Sequence, residues 1–232
     1  MKTRVLILSL LLSTSMVAQA SAFSLPMNGA LIMSGSDLTG ETLDSHDGPI
    51  ILAGTGEAAQ SMVTNLGAQA MNAIADTGMD PARKKALFRS ILTQNFDMKT
   101  IGKFALGRFW RDASEAQQAQ YLKLYQDMIV NVYSARFENY SGQKFNVVDH
   151  RVDDSGDVIV NSTITGKGSP VNVAWRVRPK GGAYKIIDVM VEGVSMAVTQ
   201  RNDFAGVIQK GGNNVEALLT YLRAGGTSDV EK

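Results

Sequence analysis

The feature that most constrains this chain is a change of period. Apolar residues recur at helical spacing up to about Tyr140, and after Ser141-Gly142 they recur at every second position as far as Val191. One element cannot present a face with both periods, so the chain must build helices first and a sheet afterwards. Within the sheet region, Phe145 to Val152 predicts one strand, and Val158 to Thr165 predicts a second after the turn Asp154-Ser155-Gly156. Val171 to Arg178 predicts a third strand, and Gly181-Gly182 joins it as a hairpin to a fourth, Tyr184 to Val191. The third alternates most cleanly. Val171, Val173, Trp175 and Val177 fall on one face and Asn172, Ala174, Arg176 and Arg178 on the other, so one face is buried and one is wet.

The helical region begins near Glu57, where Met62, Leu66, Ala70 and Ile74 keep helical spacing until Gly78 stops it. Asp80 as N-cap and Pro81 at the first helical position start a second helix, with Leu87, Phe88, Ile91 and Leu92 on its apolar face. A third runs from Met98 to Phe109 and ends at Trp110. Ser114 with Gln117 resembles a capping box and opens the longest helix, whose stripe is Tyr121, Leu122, Tyr125, Met128, Ile129, Val132 and Tyr133. Two helices follow the sheet, about Ala197 to Gln209 and Asn213 to Arg223. Helices, then a meander, then helices make an α+β domain, with helices on one face of a curved antiparallel sheet. Such a sheet and a long helix need not fill the space between them.

The start of the chain reads as a secretory signal. Lys2 and Arg4 precede an apolar run from Val5 to Leu12, and small residues lead to Ala20-Ser21-Ala22. That run falls short of the roughly 20 residues of a spanning helix. Residues 1–22 are therefore expected to be a cleaved signal peptide and the mature protein to be periplasmic. With no cysteine in 232 residues, an exported domain of this kind depends on its core. Residues 23–56 read as a flexible acidic leader, 57–223 as the folded domain and 224–232 as a polar tail. His46, one of only two His in the chain, lies in the leader, and no metal or other cofactor is expected.

Removing Lys2 and Arg4 leaves 23 − 2 = 21 basic residues against 22 acidic ones, a balance that does not suit a nucleic-acid binder. The charges are segregated, however. No Lys or Arg occurs between Phe23 and Asp80, whereas Pro81 to Arg111 carries Arg83, Lys84, Lys85, Arg89, Lys99, Lys103, Arg108 and Arg111 against Asp97. Arg83, Lys84, Lys85 and Arg89 form a candidate docking surface; the alternative is a set of solvated helix faces.

The stretch from Tyr184 to Arg201 contains no evident nucleophile. Ile186, Ile187, Val189, Met190 and Val191 surround a single acid, Asp188, and have the chemistry of an enclosing wall.

Three segments carry a family resemblance: ALGRFWRDASEAQQAQYLKLY (Ala105 to Tyr125), VNVAWRVRPKGGAYKIIDVMVEGVS (Val171 to Ser195) and FAGVIQKGGNNVEALLTYLR (Phe204 to Arg223). In this order they resemble the MlaC or toluene-tolerance family of periplasmic phospholipid carriers, auxiliary components of an ABC transporter, over nearly all of Pro81 to Arg223. The resemblance implies a nuclear-transport-factor-like sheet with a helical subdomain and an apolar cavity for acyl chains. It implies lipid exchange between an outer-membrane lipoprotein complex and the substrate-binding subunit of an inner-membrane ABC transporter, which maintains outer-membrane lipid asymmetry. It also implies a protein that is not an enzyme and acts as a monomer. The leader before Glu57 stands outside it. Ile101, Phe104, Ala105, Tyr125, Met128, Ile129, Val132, Val147, Val160, Val173, Trp175, Ile187, Val189 and Val194 are the expected cavity lining.

Three alternatives remain open at this level, one of them a pure protein-interaction module, lipid-free and with a solid core. Relatives encoded beside hopanoid-synthesis genes admit a terpenoid lipid as the ligand. Cone-shaped domains of this type also host isomerases and dehydratases, for which Asp188, His150 and Tyr184 or Tyr133 are the available groups. For His150, between Asp149 and Arg151, a surface role is the simpler reading; for Asp188 it is a carboxylate that fixes the turn at Gly193.

Overall fold

The computed structural model describes residues 55–76, 78–134, 142–166 and 168–226. The signal peptide, almost all of the leader with His46, the expected helix end at Tyr140 and most of the tail lie outside them. Chain order is α1 (Thr55–Ala75), α2 (Pro81–Asn95), α3 (Met98–Leu106), α4 (Phe109–Asp112) and α5 (Glu115–Ser134). Strands β1 (Lys144–Val152), β2 (Val158–Thr165), β3 (Val171–Lys180), β4 (Ala183–Val191) and β5 (Val194–Ser195) come next, followed by α6 (Met196–Lys210) and α7 (Val215–Arg223). The strands form a single antiparallel meander in the order β1-β2-β3-β4-β5. No described helix is long and apolar enough to cross a membrane.

Local chemistry sets the helix starts. The Asp80 carboxylate accepts from the Ala82 and Arg83 amides at 2.8 and 3.2 Å, while Pro81 has no amide to leave unpaired. At the start of α5 the Ser114 amide donates to Gln117 Oε1 at 3.0 Å and the Gln117 amide to Ser114 Oγ at 3.2 Å, a reciprocal box. The expected third helix is shorter than its periodicity suggests. Gly107 takes φ 60, a left-handed conformation that closes α3 at Leu106, and α4 restarts at Phe109 with Trp110 inside it.

The sheet follows the alternation except at three places. Between Val147, opposite Ser162, and Asp149, opposite Asn161, Val148 is left without a partner, and this bulge reverses the phase of the rest of β1. A second irregularity skips Ile187, so Ile186 faces Val177 while Asp188 faces Arg176. Beyond β4, the expected turn at Gly193 contains more structure: Glu192 and Gly193 have φ 49 and 78, and Val194 and Ser195 return to pair with Val191 and Met190. Gly181 and Gly182, at φ 58 and 77, form the two-residue hairpin loop, which suits only residues that tolerate positive φ.

Two cores result. Ala59, Val63 and Leu66 of α1 and Ile91 of α2 pack on Val158, Val160, Val177 and Ile186 of the sheet. The second lies among the helices, where Ile101, Ala105, Leu106, Phe109, Tyr121, Tyr125 and Met128 meet Phe204, Ile208, Leu218, Leu219 and Leu222. Within it Tyr121 stacks on Tyr125 at 5.7 Å, and both rings meet Phe204 edge-on. Phe96 packs against both cores. The next residue, Asp97, donates its amide to the Ile186 carbonyl at 2.9 Å and thereby fastens the α2–α3 junction to β4.

Candidate functional site

The long helix α5 packs on α2, α3 and α7, and α1 is the helix laid along β1 and β2. The buried side of the sheet thus continues past α1, through Val173 and the partly buried Trp175 and Val189, toward the helical half. Trp175 Nε1 donates to Ser162 Oγ at 2.9 Å, and Ser162 Oγ donates to the Val173 carbonyl at 3.0 Å. The Phe145 ring meets Trp175 edge-on at 6.1 Å. Both polar side-chain groups of this strip are satisfied from within, which leaves its side-chain surface apolar.

The expected lining residues fall into three groups. Ile101, Ala105, Tyr125 and Met128 are buried in the helical core, with Ile129 partly buried against it. Val160 is buried in the sheet core, where Val147, Trp175 and Val189 are partly buried at its margin; Val173 is buried on the same side of the sheet, and Ile187 is partly buried in its bulge. Phe104, Val132 and Val194 are 41, 37 and 51% exposed and lie at the surface of the described residues. Apolar periodicity marks all of these positions alike, and only the tertiary arrangement assigns them to one core, the other or the surface.

Electrostatics across the seam are muted. Burial above all, and then the charges of Tyr133 and Asp188, pushes the Tyr125 phenol well above its ordinary pKa. Burial likewise raises Tyr121, whose hydroxyl donates to the Gly102 carbonyl at 2.9 Å. Neither phenol ionises near neutrality. A groove of about 470 Å³ along α1 is open and lined by Glu57, Gln60, Ser61, Thr64 and Asn65, a polar set unsuited to acyl chains.

Of the groups considered for catalysis, Asp188 has the clearest structural role. Asp188 accepts from the Val189 amide at 2.8 Å, Ser195 Oγ at 2.6 Å and the Ala197 amide at 3.1 Å, which fixes the β4–β5 turn and the start of α6. The structural reading of that carboxylate is the observed one. His150 departs from the surface role expected for it. The bulge at Val148 turns it inward opposite Val160, where its Nδ1 lies 2.5 Å from Gln60 Oε1 of α1. Tyr184 is partly buried against the sheet core and Tyr133 partly buried on α5. No group of three metal-ligating side chains is assembled among the described residues.

On α2, Arg83 and Lys85 are exposed and Lys84 is half-buried. Arg89 is committed to α5 through Asp127 at 2.7 Å. Asp97 forms an ionic link that the sequence reading missed. It caps α3 through the Thr100 amide at 3.1 Å and Thr100 Oγ1 at 2.7 Å and receives Lys180 Nζ at 2.5 Å. Burial would raise its pKa, but the bonds from Lys180 and Thr100 outweigh it and hold the carboxyl below its ordinary value.

A family model described as MlaC protein matches residues 60–224, which include the whole sheet, the helical core and all of the sheet core but Ala59. The chain belongs to the MlaC family. The likeness extends to individual MlaC-type proteins. The intermembrane phospholipid transport system binding protein MlaC of Haemophilus influenzae is 23% identical over 158 residues, 65% of this chain and 72% of that protein. The toluene tolerance protein ttg2D of Pseudomonas putida is 24% identical over 113 residues, 48% of this chain and 53% of that protein. A phospholipid-binding protein from Ralstonia solanacearum, solved in complex with a phospholipid, superimposes with a TM-score of 0.65 at 27% identity, covering 72% of this chain and 96% of that one. The MlaC resemblance read from three segments is thus a property of the folded domain, and its mixed helix and open antiparallel sheet architecture is the one observed.

Proposed function

We propose that this protein is a periplasmic phospholipid carrier which holds acyl chains between the apolar side of its sheet and its helical half. It passes lipid between an outer-membrane lipoprotein complex and the substrate-binding subunit of an inner-membrane ABC transporter, and so maintains outer-membrane lipid asymmetry. The observation that carries the reading is the likeness, over 72% of this chain and 96% of that one, to a solved protein holding a phospholipid. The satisfied apolar strip around Trp175 supports it, as does the occupation of Asp188 by three structural hydrogen bonds.

The energetics suit a shuttle. Burying about 30 methylenes at roughly 0.8 kcal/mol each gives about 24 kcal/mol relative to water, beyond the practical ceiling of non-covalent affinity, so release into water is extremely slow. Relative to a bilayer the chains exchange one apolar surrounding for another, and the difference is small. Transfer therefore needs an apolar path supplied by a partner, while the headgroup stays hydrated at the mouth.

The test is to purify the mature protein from its native compartment and identify extracted lipid by mass spectrometry. A two-chain phospholipid near one per protein is expected; a polycyclic terpenoid would change the ligand class, and a lipid-free protein would overturn the reading. Position gives a sharper contrast. Val189→Trp, at the margin, should lower retained lipid several-fold with the fold intact, whereas Val160→Trp, in the sheet core, should overpack it by about 1–3 kcal/mol or more. Equal destabilisation by both would make the strip around Val189 ordinary core.

A further inference from the structure

The seam between α3 and α6 carries apolar and basic side chains together in solvent. Phe104 on α3, Val194 on β5 and Val198 on α6 are 41, 51 and 45% exposed. The Arg201 guanidinium lies 5.3 Å from the Phe104 ring centroid, which joins the two helices at the surface. Val198 sits about one turn before Arg201 on α6, and Val194 precedes the Ser195 N-cap of that helix. Lys103 adjoins Phe104, with Lys99 one turn earlier on α3; both are exposed. Just beyond Gly107, the exposed Arg108 stacks 4.8 Å from the Phe109 ring centroid. Among the described residues none of Lys99, Lys103, Arg108 or Arg201 has a carboxylate within ion-pair distance.

We propose that this seam docks the protein on an anionic phospholipid bilayer, with Phe104, Val194 and Val198 entering the interface and Lys99, Lys103, Arg108 and Arg201 meeting lipid phosphates. Separate apolar tips set among unpaired cations suit shallow insertion between headgroups. A specific protein interface instead calls for a continuous patch of about 800 Å² on each partner. The Lys and Arg stems can also lie along the acyl boundary while their charged ends remain at the phosphates. The inference deepens the carrier reading by naming the surface on which the protein meets the membrane that supplies or receives its lipid.

The test is sedimentation of the purified mature protein with vesicles of phosphatidylcholine, alone or in equal mixture with phosphatidylglycerol. Each cation at an anionic surface contributes about fivefold in partitioning, so Lys99→Glu with Lys103→Glu should weaken binding to the mixed vesicles by about 25-fold or more. Val198→Asp should weaken it about tenfold, and added salt should reduce the preference of the unaltered protein for the mixed vesicles. These positions lie outside the expected cavity lining, so extracted lipid and unfolding midpoint should be unchanged. Undiminished binding by both variants, equal binding of the unaltered protein to both kinds of vesicle, or binding to an immobilised acidic protein but to no vesicle would each overturn the proposal. Lipid content, measured on the same samples, separates the two readings. A lipid-free protein that binds mixed vesicles refutes the carrier and keeps the dock, and a lipid-loaded protein that ignores them does the reverse.

Discussion

Replacing Asp97 by Ala should uncouple the helical half from the sheet, and the structure sets the size of the loss. The carboxylate caps α3 through Thr100, and such a cap contributes about 1 kcal/mol. Its bond to Lys180 contributes less than a buried ion pair would, because the lysine side chain is 56% exposed, and about 0.5–1 kcal/mol is the appropriate share. The sum is about 2 kcal/mol, or about 1 M in urea midpoint for a slope near 2 kcal/mol/M. Asp97→Asn keeps a good capping acceptor and should lose only the lysine share. The chain has two tryptophans, and Trp110 reports on the helical core while Trp175 reports on the sheet, so fluorescence follows both sides of the joint. Acid provides the second arm. Because the folded pKa of Asp97 is lowered, its contribution is fully present above the unfolded value near 3.9 and is lost as pH falls through the folded value. Asp97→Asn should lack that part of the acid sensitivity. An Ala variant within about 0.3 kcal/mol of the unaltered protein, or an Asn variant as unstable as Ala, would refute this account of the joint.

Asp188→Ala removes three accepted hydrogen bonds and should lower the thermal midpoint by about 5–10 °C, corresponding to about 2–3 kcal/mol; an unchanged midpoint would free that carboxylate for another role. At Gly67 a Cβ would stand 2.2 Å from the Phe145 ring, so Gly67→Val should lift α1 from β1 and speed amide exchange in β1, and unaltered exchange would show that the contact can yield. N-terminal sequencing of the native protein should begin at Ser21 or Phe23; Met1 found in place would eliminate the cleaved signal peptide.

Features fixed by neighbouring residues were legible in the sequence. Asp80-Pro81, the Ser114 and Gln117 box and the Gly181-Gly182 hairpin each act over four residues or fewer, and each is found where its pattern falls. Features that depend on distant packing were not. The bulge at Val148 leaves little trace in an alternating strand, yet it decides that His150 faces Gln60 instead of solvent. Likewise Val160 and Val189 both read as apolar strand positions, and only the placement of α1 and α2 buries the first completely and leaves the second at the margin. The role of Asp188 was within reach, because a lone acid ahead of a Gly193 turn and a helix start has few other uses. Asp97 was not, because its partner Lys180 is far away in the chain.

The joint at Phe96 and Asp97 also bears on how the sheet behaves among other chains. An uncovered strand edge offers rows of free amides and carbonyls that can recruit a second polypeptide. On the β4 side the molecule uses its own backbone for this cover: Phe96 bridges Ile186 in parallel, the Asp97 amide occupies the Ile186 carbonyl, and β5 closes over Met190 and Val191. Along β1 the bulge breaks the regular spacing that templating requires, and Lys144, Asp149 and Arg151 place charges beside it. On the proposed carrier reading, a domain that offers apolar surface to lipid is thereby guarded along these backbone edges, so stickiness toward acyl chains need not become stickiness toward copies of itself.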